Sequence, residues 1–277
     1  MTPFESIIVT AANNQYYRTL YQFLLSIKRH SIEKKSTIII YDLGLLPKQV
    51  NTLKKQFLSP NFLIRPYKKI TEKEQLTKSW KAPIIQSVLN EFKQPTLWLD
   101  SATVILKSLN PIFKFIEKTG LYVTYGGSRL NIDGIHLKTI HYLNIDDFIL
   151  NQRQHASGFC GFNTNNKHIM NIVTEWARLS QIPDCISPKG ASLKTHRYDQ
   201  SILSYLLYKN EDQGTLKLTQ DELDISSMKP IPYARTRNKV PNWIPIWMDP
   251  FVRAYFKTYR FLDVLTLRIK HLLYSKN

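Results

Sequence analysis

Only two cysteines, Cys160 and Cys185, stand among 277 residues. That is too few for a disulfide framework, and their spacing suits no metal cluster, so the simplest reading is two reduced thiols in a cytosolic protein. No Gly-x-Gly-x-x-Gly follows the first apolar run and no Gly-x-x-x-x-Gly-Lys-Ser/Thr occurs, which argues against dinucleotide enzymes and P-loop NTPases. Long apolar runs are missing too: no stretch reaches the ~18 uninterrupted residues of a membrane-spanning helix. The first ten residues lack the basic and apolar succession of a secretory signal. The chain is therefore expected to be soluble or to lie on a surface. Acidic residues are the last shortage. Asp and Glu number 21 against 38 Lys and Arg, giving a net charge of +17. A field of that sign favours polyanions, meaning nucleic acid, anionic lipid or phosphorylated substrates.

What is present reads as alternating strands and helices. SIIVT, from Ser6, is a short β-branched run of the kind found in buried parallel strands. The polar AANNQ follows. A helix then places Tyr17, Leu20, Leu24 and Ile27 on one face. STIIIYDLGL is a second buried strand ending in a turn at Asp42 to Gly44, and Pro47 stands where a helix start tolerates it. NFLIRPY reads as a third strand, Trp80 to Phe92 as a helix, and TLWLD as a fourth strand. This alternation predicts an α/β protein whose mostly parallel sheet is covered on both faces, with ligands bound beyond the carboxyl ends of the strands. Asn13, Asn14, Asp42 and Asp100 fall at those ends. Shorter elements follow: strands at GLYVTYGG and SGFCGFN, and helices at DDFILNQ, KHIMNIVTEWARLS and YDQSILSYLLY. Residues 1–227 are expected to form one domain. Residues 228–277 are expected to form a basic, aromatic-rich segment ending in an amphipathic helix.

The stretch PTLWLDSATVIL, Pro95 to Leu106, is a strand that meets a polar step and resumes. With IIVTAANNQYY, ASGFCGFN and YDQSILSYLL, in that order, it resembles the GT-A-type glycosyltransferases. The nearest likeness is to the family-8 retaining enzymes and related bacterial sugar transferases. The resemblance covers about the first three quarters of the chain. It implies that Ala11, Ala12 and Asn13 line a base and ribose pocket, and that Lys81 meets the donor phosphates. It further implies that Asp100 and Ser101 belong to the donor site, that Ser157 and Gly158 approach the donor sugar, and that Asp199 and Gln200 flank the anomeric carbon. The family carries Asp-x-Asp where this chain has Asp100 and then Ala102. A methyl group cannot coordinate, so a Mn²⁺ or Mg²⁺ site would rest on Asp100 without its usual partner. Fixed cations can stabilise a leaving diphosphate instead. Arg235, Arg237 and Lys239, in a late polar loop, would serve with Lys81 in that role. The implied reaction is glycosyl transfer from a nucleotide sugar, UDP being favoured, to a glycan or lipid-linked acceptor, with retention favoured and Asp199 the candidate base if the enzyme inverts.

Other polar residues have plainer readings. Asp146 and Asp147 precede an apolar run, as a helix cap does. His136, His141, His155 and His196 show no pairing that would suit a metal or a base. Cys160 reads as a small buried apolar residue.

Pro250 to Tyr274 can be laid on a helix with Phe251, Tyr255, Leu262, Leu265, Ile269 and Leu272 in one stripe. Arg253, Lys257, Arg260, Arg268 and His271 gather opposite. This composition suits a helix lying in an anionic membrane interface, and Trp243 and Trp247 upstream suit the same depth. A final helix docked on its own domain would show the same pattern. A peripheral enzyme on the cytoplasmic face would meet a lipid-linked acceptor directly, as in assembly of lipopolysaccharide or capsule. Two readings of other classes compete: a nucleic-acid-binding protein, for which no motif is present, and a relative of the fold that binds without catalysing.

Overall fold

The computed structural model of the protein describes residues 6–57, 59–68, 70–105, 108–212, 214 and 233–235. The strands are β1 (Ser6–Ala12), β2 (Ser36–Asp42), β3 (Phe62–Pro66), β4 (Thr96–Leu99), β5 (Thr103–Ile105), β6 (Leu121–Leu130), β7 (Arg153–Phe162) and β8 (Tyr233–Arg235). The α-helices are α1 (Tyr17–Arg29), α2 (Pro47–Gln56), α3 (Glu72–Thr77), α4 (Lys81–Phe92), α5 (Asn110–Thr119), α6 (Asn131–Gly134), α7 (Leu137–Leu143), α8 (Asp147–Leu150), α9 (Lys167–Leu179), α10 (Pro183–Ile186) and α11 (Asp199–Asp212).

Six strands form one sheet in the order β3-β2-β1-β4-β7-β6. β3, β2, β1 and β4 run parallel, and β7 is antiparallel to both β4 and β6. Alternation along the strands divides the core into two layers. Ile7, Val9, Ile39, Trp98 and Cys160 face one side with Ile84, Val88 and Trp176 of α4 and α9. Ile8, Ile38, Leu97 and Leu99 face the other with Leu20, Leu24 and Ile27 of α1 and Ile116 of α5. The apolar face expected of α1 is thus the face it buries.

The chain runs from β1 outward to β2 and β3 on one side, then returns to β4 on the other. The strand order therefore reverses between β1 and β4, and a crevice opens beyond their carboxyl ends. Local chemistry shapes its rim. Asp42 Oδ1 accepts hydrogen bonds from the backbone N–H of Gly44 at 2.8 Å and Leu45 at 2.6 Å. Gly44 at φ 120° supplies the backbone that this turn requires. Asn13 Oδ1 accepts from the N–H of Gln15 at 3.0 Å and caps a single 3₁₀ turn.

Two elements differ from their sequence readings. The polar step after β4 ends the large sheet, and the chain that resumes as β5 pairs with β8 in a separate two-stranded sheet. Arg235, expected in a loop, lies on β8, with its backbone opposite Thr103. Asp146 caps α8 as expected, accepting from Ile149 N–H at 2.9 Å. The amphipathic helix expected over Pro250 to Tyr274 lies outside the described residues.

Candidate active site

At the switch point, β4 delivers Asp100 and β1 delivers Ala11, Ala12 and Asn13 to one cleft that is open to solvent. Its β4 side continues through Ser101 and Ala102. Its other wall is Tyr16 beside Gln75, Lys78 and Trp80. These last residues come from α3 and the link to α4. The start of α3 is fixed by a capping box, Thr71 Oγ1 accepting from Glu74 N–H at 3.1 Å and Glu74 Oε2 from Thr71 N–H at 2.9 Å. Asn13 Nδ2 donates to Gln75 Oε1 at 3.1 Å and ties the two walls together.

Beneath the cleft lies an ion cluster. Lys81, the first residue of α4, is 1% exposed. Its Nζ lies 2.9 Å from Asp199 Oδ2 and 3.2 Å from Asp100 Oδ1, and it donates to the Ser157 carbonyl at 3.1 Å and Ser157 Oγ at 3.3 Å. The Asp199 contact is an ion pair of poor hydrogen-bond angle: Oδ2 is buried and takes no well-formed bond. Burial alone would push the Lys81 pKa down, but Asp100 and Asp199 outweigh it and hold the ammonium above its ordinary value. One lysine against two carboxylates leaves one net negative charge at the floor of the cleft. Asp100 is further fixed by Trp98, whose Nε1 donates to Oδ1 at 2.8 Å. Residues i and i+2 of a strand share a face, so this contact is local.

The antiparallel strand β7 completes the arrangement. Asp100 N–H donates to the Gly158 carbonyl at 2.9 Å, which sets Ser157 and Gly158 against the end of β4. Asp199 opens α11, where its acidic side chain complements the helix dipole. Its carbonyl accepts from Trp176 Nε1 at 3.0 Å. Tyr198, just before it, is held at φ 53°, a region a bulky side chain rarely enters and one found at functional sites. Gln200 lies outside the ion cluster. Its Nε2 donates to Oε1 of Gln154, a fully buried residue of β7, at 3.2 Å. Two glycines make room for this amide pair. A Cβ at Gly126 would come 2.8 Å from Gln200 Nε2, and one at Gly134 would come 2.5 Å from the Gln154 amide.

The structure thus brings Lys81, Asp100, Ser157, Gly158 and Asp199 into one cluster and Ala11, Ala12, Asn13 and Ser101 into the adjoining cleft. Arg235 approaches through its backbone, paired three residues beyond Asp100. Arg237, Lys239, Trp243, Trp247, Arg253, Lys257 and Arg260 lie outside the described residues. Lys81, expected to meet donor phosphates, has its ammonium against two carboxylates and Ser157. The cleft residues Lys78, Trp80, Tyr16 and Gln75, and the supporting residues Trp98 and Gln154, were not singled out from sequence. The Thr71–Glu74 cap and the i, i+2 spacing of Trp98 and Asp100 were signals in plain view.

A divalent metal finds a poor ligand set here. Asp100 Oδ1 is shared by Trp98 and Lys81, Ala102 offers only a methyl group, and no cluster of three or more His, Cys, Asp or Glu occurs among the described residues. Among the described residues, His155 and Cys160 are packed in the interior. His155 stacks on Tyr125 with ring centroids 5.0 Å apart and lies against Tyr208 at 5.1 Å. Cys160 is buried, which pushes its thiol pKa up.

The mixed α/β fold, a mostly parallel sheet with flanking helices that reverses strand order at a polar cleft, matches the folds of solved glycosyltransferases. Among solved structures, the chain is similar to the galactosyltransferase LgtC in complex with donor and acceptor sugar analogues. That match has 15% identity and a TM-score of 0.50, covering 86% of this chain and 89% of LgtC. It is also similar to the apo structure of the bifunctional glycosyltransferase WbbM, at 13% identity and a TM-score of 0.52. That match covers 76% of this chain but only 38% of WbbM. No family model and no curated protein matches the chain.

Proposed function

We propose that the protein transfers a sugar from a nucleotide-sugar donor, UDP-linked by preference, to the hydroxyl of a glycan or lipid-linked acceptor in cell-surface polysaccharide assembly. The observation that carries this reading is Lys81 bridging Asp100 and Asp199 at the strand-order reversal, beside a cleft walled by Ala11 to Asn13. A nucleoside would lie against that wall. Its diphosphate would lie near Asp100 and Ser101, and its sugar near Ser157, Gly158, Asp199 and Gln200. LgtC, similar in fold, has been solved with donor and acceptor sugar analogues, which supports a two-substrate site of this kind.

In transfer, the acceptor oxygen bonds to the anomeric carbon, the bond from that carbon to the β-phosphate oxygen breaks with its electron pair leaving on the nucleoside diphosphate, and the acceptor's hydroxyl proton passes to that departing phosphate oxygen. Positive charge develops on the sugar ring. The net negative charge of the cluster, and the Gln200 carboxamide, suit stabilisation of that charge. Asp199, 4% exposed and ion-paired, is better placed for this electrostatic role than for taking a proton from a mobile acceptor. Retention is the outcome consistent with that role. The leaving diphosphate carries charge that Arg235, Arg237 and Lys239 are proposed to share, without a metal.

Titration calorimetry with UDP, GDP and CMP, with and without Mn²⁺, tests the reading. Binding of one nucleotide in EDTA, lost in Asp100→Ala, is expected. Binding that requires Mn²⁺ contradicts the metal-free site. Salt-sensitive binding of single-stranded RNA with no nucleotide affinity would favour the nucleic-acid reading.

A further inference from the structure

The ammonium of Lys81 is turned toward carboxylates beneath the cleft, which raises the question of what cation faces the ligand space. Among the described residues that line the cleft, Lys78 is the only cation. It follows α3 in a left-handed conformation, φ 59°, which turns the chain back toward β1. Its Nζ donates to the Gln75 carbonyl at 2.9 Å and sits 5.4 Å from the Tyr16 ring centroid and 5.9 Å from that of Trp80. The lysine is therefore held against two aromatic rings at the wall of the cleft that Asp100 and Ser101 also line. A second observation points to a ligand. Trp80 is 5% exposed, lines the same cleft, and its indole N–H has no hydrogen-bond partner among the described residues. A buried orphan donor is costly unless an acceptor reaches it. An ammonium lining the cleft suits a ligand rich in anionic oxygens, because it is an effective point-charge binder of phosphate.

We propose that Lys78, held between Tyr16 and Trp80, binds the diphosphate of the donor from the cleft wall, in addition to the late basic residues Arg235, Arg237 and Lys239. This rests on the nucleotide-sugar reading for the word donor, but its chemistry requires only a diphosphate. Lys81 then has a different task, fixing Asp100 and Asp199 in place.

The test compares UDP, uridine and inorganic pyrophosphate as calorimetric probes of the full-length protein and of Lys78→Gln and Lys78→Arg. Lys78→Gln is expected to weaken UDP and pyrophosphate about tenfold, the loss of one charge-assisted contact, while uridine affinity is unchanged. Lys78→Arg is expected to stay within about threefold of the parent protein, since it keeps the charge. Unchanged UDP and pyrophosphate affinity in Lys78→Gln overturns the proposal, and so does an equal loss of uridine, which would mark a structural effect. If the unsubstituted protein binds pyrophosphate but not UDP, the nucleotide reading fails and Lys78 is judged on pyrophosphate. If it binds neither, both fail.

Discussion

Lys81 shows how much one buried charge decides. With its ammonium removed, the buried Asp199 would be left beside Asp100 with no compensating charge between them. Breaking a buried ion group by deleting one partner typically costs about 3–5 kcal/mol. Lys81→Met is therefore expected to lower the free energy of urea unfolding by that much and to abolish transfer, whereas Asp199→Asn, which keeps the shape, should retain most of the stability and lose turnover by roughly a hundredfold or more. Chemical denaturation beside an activity assay separates the two. Gln154 is the quieter case. Its Oε1 holds the amino end of Gln200, and its own Nε2 has no partner among the described residues. Gln154→Glu keeps the acceptor oxygen and is expected to remain within a few-fold of the parent in turnover. Gln154→Met removes it and should lower kcat about tenfold with little change in donor KM. Equal kcat for the two variants would contradict a positioning role. Asp100 and Asp199 were legible from sequence because strand ends and helix starts mark themselves. The burial of Lys81 was not, since a lysine at a helix start is solvated unless distant segments, here β7 and α11, cover it.

At the scale of elements, the loop before α11 has to deliver Asp199, and His196 anchors it. This fully buried ring accepts from His136 N–H at Nδ1 (3.2 Å), which leaves Nε2 to donate to the Cys185 carbonyl at 3.0 Å. Burial is the main cause that pushes its pKa down to about 4, the nearby His136 adding to it. In the unfolded chain the group titrates near ~6.5, so between those values the unfolded state binds more protons. The stability it contributes is fully present above ~6.5 and is lost as pH falls toward 4, by roughly 3 kcal/mol. Urea unfolding at pH 7 and pH 4.5 is expected to show this loss in the parent protein and a smaller one in His196→Gln. Gly134→Ala should also strain this region, by about 1–3 kcal/mol, because its Cβ would overlap the Gln154 amide. A Gly134→Ala variant with the parent's unfolding midpoint would contradict that packing. The parallel strands and the face of α1 could be read from periodicity, which is local. The direction of β7 and the pairing of β5 with β8 could not, because both depend on contacts far apart in sequence.

Over the whole molecule the charge is unevenly spread. Residues 228–277 carry ten basic and two acidic residues, so this tail supplies nearly half of the +17. Among the described residues no helix is long and apolar enough to cross a membrane. If the tail holds the protein to an anionic surface, phosphatidylglycerol vesicles should sediment it at low salt. They should release it at high salt, and the triple reversal Arg253→Glu, Lys257→Glu, Arg260→Glu should weaken binding. Equal binding to neutral vesicles would contradict an electrostatic anchor. Such a surface is where lipid-linked acceptors occur, but donor chemistry has to hold first. The most direct measurement is release of nucleoside diphosphate from a panel of UDP-sugars by the purified protein in EDTA. Release from one donor, abolished by Asp199→Asn and inhibited by free UDP, is the predicted result. No release from any donor, together with no affinity for UDP, would contradict the account.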